Sequence, residues 1–160
     1  MPNKQSISYG LETVEGMGIR SISQEVLYTD FVDGTSTAGT MTLRKKLPAY
    51  CFPIGTKVVV TTGFTGDTTA VLSVGTSTTS LVAGVVDADI LTNDGTINVY
   101  TAAKTYMTFA TFTDTNVPQD DEQTVASNYI LLTVTGGADF TSITAGKMTV
   151  TVYYLSTVPE

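Results

Sequence analysis

A chain of 160 residues has the length of one domain, and folding at that size buries about 70% of the extended chain's surface. Its net charge is −7, and with no extended basic run this argues against nucleic acid as a partner. The chain has no histidine, which removes the Ser-His-Asp and Cys-His triads and the commonest metal ligand, and no apolar run approaches the length of a membrane span.

Only 14% of residues are charged. Threonine supplies about one residue in five, and its branched carbon favours extended backbone while its hydroxyl tolerates water. No dozen residues carry apolar positions at helical spacing, so the chain reads as all-β. Residues 67–160 hold Lys104 and Lys147 against ten carboxylates, an excess that keeps an outer surface soluble.

Met1–Gln24 differ from the rest. Gly10, Gly16 and Gly18 interrupt scattered apolar residues, among them Ile7, Tyr9, Leu11, Val14 and Ile19, without clear alternation. The segment is too apolar for a plain disordered tail and too irregular for a strand. It reads as an extended N-terminal arm that gains order on a partner, and those five residues are its candidate contacts. Packing against its own domain is the alternative. The first ten residues contain no apolar core of signal-peptide length, so synthesis in a reducing, aqueous compartment is expected.

Residues 25–160 read as one sandwich domain. Glu25–Val32 alternates, with Leu27, Thr29 and Phe31 on one face, and Asp33-Gly34 opens a turn. Gly39–Leu47 alternates up to Pro48 and contains Arg44-Lys45-Lys46. That run is a candidate docking edge, or else a solvated edge strand that resists aggregation. Cys51 stands alone, cannot form an intrachain disulfide, and reads as a small buried hydrophobe. Lys57–Thr62 and Thr69–Val74 flank the Gly-rich stretch Gly63–Asp67, a hairpin signal.

Read in order, Phe52-Pro53-Ile54-Gly55, Thr62-Gly63-Phe64-Thr65-Gly66 and Val74-Gly75-Thr76 resemble a recurring pattern of tailed-phage virion proteins that decorate the head. The resemblance spans about a third of the chain. It implies a capsid decoration or cement protein that binds the major capsid protein on the virion exterior. It also implies copies on a symmetric lattice, which favours a closed homo-oligomer, a trimer first.

Further strands are expected at Thr96–Thr101 after Asn93-Asp94-Gly95, at Thr105–Phe112, at Asn128–Thr135 and at Gly146–Leu155. The last has the clearest pattern, with Met148, Val150, Val152 and Tyr154 inward. About eight strands with regular turns predict an antiparallel β-sandwich of jelly-roll type.

Two acidic groups could serve a carboxylate-only hydrolase: Asp87/Asp89/Asp94 and Asp120/Asp121/Glu122. Both sit in polar, loop-like surroundings that keep carboxylates ionised, and they read as solvated loops. The first group lacks the spacing and the closing glutamate of an EF-hand, so it reads as a turn rather than a calcium site. The glycine-rich stretches lack a phosphate-cradling pattern. No cofactor or metal is expected, and catalysis is not. Without tryptophan, a sugar platform would fall to Tyr9, Tyr50, Tyr100 and Tyr129. The alternative function is therefore a carbohydrate- or receptor-binding module of a phage tail or fibre.

Overall fold

The computed structural model describes residues 18–34, 36–80, 85–93, 95–110 and 126–156. It is an all-β sandwich of two antiparallel sheets. In chain order the strands are β1 (Ile19–Leu27), β2 (Val32–Asp33), β3 (Ala38–Thr42), β4 (Cys51–Thr65), β5 (Ala70–Ser77), β6 (Val85–Asp87), β7 (Ile97–Asn98), β8 (Lys104–Phe109), β9 (Tyr129–Gly136) and β10 (Ala145–Ser156). One sheet has four strands in the order β1-β10-β4-β8. The other runs β2-β3-β9-β5-β6, with β7 also paired to β5. Setting aside the two-residue β2 and β7, eight strands in two Greek keys give the jelly-roll order, β1-β10-β4-β8 facing β3-β9-β5-β6.

Strand β10 is the spine of the four-stranded sheet, and its sequence explains why. Met148, Val150, Val152 and Tyr154 alternate into the core as the period-two pattern predicts. They meet Ile22 and Val26 of β1, Val58 and Val60 of β4, and across the sandwich Leu72, Val74, Ile130, Leu132 and Val134. Each such side chain, fully buried, contributes about 1.5–3 kcal/mol. Cys51 is buried at the start of β4.

Several expected elements are corrected. The hairpin over Lys57–Val74 does not form, because β4 and β5 lie in different sheets and the chain between them arches across the sandwich. What read as a turn around Phe64 is the end of a fifteen-residue strand, and Phe64 is fully buried. Its ring stands edge-on to Phe31, with centroids 5.9 Å apart, and Phe31 in turn meets Phe140 at 5.9 Å. Gly146 on β10 is required here, since a Cβ would strike the Phe64 ring. Asp67 holds the arch in place. It accepts the backbone N–H of Ala138 at 2.7 Å as well as that of Thr68, tying the β4–β5 connection to the β9–β10 connection.

The strand expected over Glu25–Val32 is also broken. It begins at Ile19 and ends at Leu27, where a 3-10 turn over Tyr28–Asp30 follows. The Asp30 carboxylate closes the turn by accepting the Leu27 N–H at 2.8 Å. The turn interrupts the alternation, so Val26 and Phe31 are both buried while Leu27 is exposed. The domain therefore does not start at residue 25. Ile19–Gln24 pair with Gln24↔Val150 through Ile19↔Leu155 of β10, and the expected arm loses its last six residues to the sheet. Its other candidate contacts, Ile7, Tyr9, Leu11 and Val14, lie outside the described residues. Strand β3 ends at Thr42 rather than Leu47, and the strand expected over Thr96–Thr101 shrinks to Ile97–Asn98.

Candidate docking surface

The outer face of the four-stranded sheet can be built row by row from the strand register. Alternation sends Ser21, Ser23 and Glu25 of β1 outward, with Thr149, Thr151 and Tyr153 of β10, Lys57 and Val59 of β4, and Met107 and Phe109 of β8. At one end Ile19 pairs with Leu155, which pairs with Phe52. The next row runs Ser21–Tyr153–Gly55–Phe109, and the next Ser23–Thr151–Lys57–Met107. The far end turns polar, with Glu25 in a 2.9 Å ion pair with Lys147.

This makes one half of the face apolar. Ile19 is 70% exposed, Met107 63% and Phe109 68%, beside half-buried Phe52, Tyr153 and Leu155. A β-bulge shapes it. The β4–β10 register shifts between Tyr153 and Tyr154, where Pro53 and Ile54 enter β4. Gly55 follows because a Cβ there would collide with the Thr108 carbonyl oxygen, closing off β8. Phe52-Pro53-Ile54-Gly55, the first piece of the phage-like pattern, thus sits at this surface.

The basic run lies elsewhere. Arg44, Lys45 and Lys46 are exposed on a bend, not on an edge strand. Buried Leu43 and Leu47 pin its two ends to the start of β9, the Leu43 N–H donating to Ile130 O at 2.9 Å and the Leu47 N–H to Asn128 O at 2.8 Å. Lys46 Nζ rests 3.9 Å above the Tyr129 ring, and the Arg44 N–H donates to Gln24 Oε1. The run does not join the apolar half of the sheet face. Of the four candidate contact residues among those described, Ile19 alone lies on that face.

The carboxylates in view serve the fold. Asp87 is nearly buried at the end of β6, and its Oδ1 accepts the N–H groups of Asp89 and Ile90, both at 3.0 Å, capping the 3-10 turn that follows. Asp67 is held below the ordinary carboxylate range, chiefly by the Ala138 N–H and then by Thr68. Asp139 is lowered by the Thr141 hydroxyl and its N–H. Asp94, Asp120, Asp121 and Glu122 lie outside the described residues. Among the described residues no three His, Cys, Asp or Glu side chains gather as a metal site.

A shallow cleft of about 230 Å³ opens on the other sheet, lined by Asp30, Val32, Thr40, Met41, Thr42 and Leu131 with Ser80. It is smaller than ordinary ligand pockets and holds no aromatic ring. Exposed Tyr50 and Tyr100 stand on separate loops, before β4 and after β7.

Sequence reasoning missed Phe52, Met107, Phe109, Tyr153 and Leu155. The signal was present in Thr105–Phe112, where both alternating faces carry apolar residues, one set more than a one-sided sandwich strand needs. Comparison with known proteins finds no match to this chain among family models, curated proteins or solved structures.

Proposed function

We propose that this chain is a non-enzymatic virion structural protein that binds the assembled capsid of a tailed phage from outside and stabilises or decorates it. The observation that supports this most is the bare apolar half of the four-stranded sheet's outer face. Jelly rolls recur in viral capsid proteins, in lectins and in enzymes, so the fold alone does not choose among them. A flat apolar face suits a large protein surface better than a small ligand.

The energetics fit a multivalent binder. Covering Met107 and Phe109, each about two-thirds exposed, contributes about 1–2 kcal/mol apiece. That is modest for one copy. Display of several copies as a closed oligomer, a trimer first, on a repeating capsid multiplies it. The partner is then the major capsid protein, and the site of action the virion exterior. Arg44–Lys46 and the residues before Gly18 are secondary contacts in this reading.

The test is co-sedimentation of purified protein with expanded heads stripped of accessory proteins. Tyr153→Glu with Leu155→Glu puts two charges on the apolar half without touching the core. Wild type should travel with the heads, and the double variant should stay in the supernatant while melting cooperatively. Equal binding by both would refute the reading.

A further inference from the structure

Among the described residues, β8 offers the most open strand edge. The six-stranded sheet ends in β2 and β6, of two and three residues, too short to template another chain. At the far side of the four-stranded sheet, β1 has the basic bend against it, through the Arg44 N–H and Gln24 Oε1. Strand β8 runs six residues in unbroken register with β4, without proline or bulge, and no described strand pairs with its outer side. It also carries Met107 and Phe109, each about two-thirds exposed. Such an edge accepts an extended segment as a further strand, held by main-chain hydrogen bonds and selected by its alternate side chains.

We propose that β8 takes residues 7–12 of a second copy of this chain as that strand, in the antiparallel sense. Residues 1–17 lie outside the described part of the chain. As a whole they do not alternate, but Ile7, Tyr9 and Leu11 are spaced by two, with Ser8 and Gly10 between them.

Side-chain complementarity fixes the register. Setting Tyr9 opposite Met107 places Ile7 opposite Phe109 on the outer face. On the inner face it sets Gly10 opposite the half-buried Tyr106 ring and Glu12 directly opposite Lys104, a complementary charge pair. A shift of two residues either way brings Val14 or Gly10 opposite Lys104 and loses that pair.

The tether decides whose edge is used. Residues 13–18 join this strand to β1, and six residues span about 20 Å at full extension. The open side of the chain's own β8 is four strand spacings from β1, about 19 Å. In this register Glu12 also sits at the Lys104 end, the far end of the sheet from Ile19, so the path is a diagonal longer than the tether. A neighbour's edge imposes no such path. The added strand lies beside β8 and not over it. The apolar half of the outer face therefore stays open and gains Ile7, Tyr9 and Leu11 in line. This rests on the closed-oligomer part of the function proposed above and does not depend on capsid binding.

The experiment uses purified protein without capsids. Light scattering of the wild type should give an oligomer mass. Deleting residues 1–12 should give a monomer that melts as the wild type does, since β1 begins at Ile19. Oxidising a mixture of Tyr9→Cys and Met107→Cys proteins should link one to the other, because Cβ atoms paired across strands lie about 4.5–5.5 Å apart. Neither variant alone should link, nor should wild type, whose Cys51 is buried. Glu12→Lys and Lys104→Glu should each weaken the oligomer, and the two together should restore it. A monomeric wild type would overturn the proposal, as would an oligomer that survives the deletion. So would a Tyr9→Cys, Met107→Cys double variant that closes a disulfide within one chain, which would put the segment on its own β8. Capsid co-sedimentation is read separately, so either idea can fail alone.

Discussion

Phe64→Ala tests whether the β4–β5 segment crosses the sandwich or turns back on itself. Phe64 is fully buried, edge-on to Phe31, and lies over Gly146. Removing a buried phenyl ring costs about 3–5 kcal/mol, including the cavity left behind. About 0.5–1.5 kcal/mol of that is the edge-to-face contact. Against a total stability of about 5–15 kcal/mol this is a large fraction. For a domain of this size it lowers the melting temperature by about 6–20 °C. Differential scanning calorimetry measures the shift, and urea unfolding should show a lower midpoint with an unchanged slope. A residue at the tip of an exposed hairpin would cost less than about 0.5 kcal/mol. A shift of under about 2 °C would refute the arched connection and restore the hairpin.

Acid should destabilise the fold through Asp67 and Asp139. Their folded pKa values lie below the unfolded value of about 3.9, so their stabilising effect is complete above that value and is lost as pH falls through the folded values. Melting temperature should therefore hold steady near pH 5 and drop below about pH 4, with a shallower drop in Asp67→Asn. Thr56→Val should raise stability by about 1 kcal/mol in urea titration, because the Thr56 hydroxyl is buried with no hydrogen-bond partner. Deleting residues 1–24 should abolish cooperative melting, since it strips six residues from β1, including buried Ile22, and uncovers β10.

The legible parts of this fold were those where one face is buried and the other wet. Strand β10 alternates without a break, so Met148 to Tyr154 could be read directly as core. Strand β9 was located correctly too, although Leu131 is buried on its outer side as well. Connections were harder. The residues Gly63–Asp67 carry hairpin chemistry, but whether two strands pair or part is decided by long-range partners, here β10 for β4 and β9 for β5. The start of the domain was obscured because β1 is an edge strand with only Ile22 and Val26 buried, a pattern too sparse to announce a strand. The apolar half of the outer face was hidden for a related reason. Its residues come from four strands far apart in sequence, and only the register of β1, β10, β4 and β8 assembles them.

In the proposed function, the outer face of the four-stranded sheet is what this protein applies to its partner. Cryo-electron microscopy of wild-type protein bound to expanded heads tests it most directly. Ordered density on the capsid exterior should place Phe52, Met107, Phe109, Tyr153 and Leu155 against the major capsid protein, with the six-stranded sheet turned to solvent. Bound density in the reverse orientation, or heads left bare at saturating protein, would contradict it.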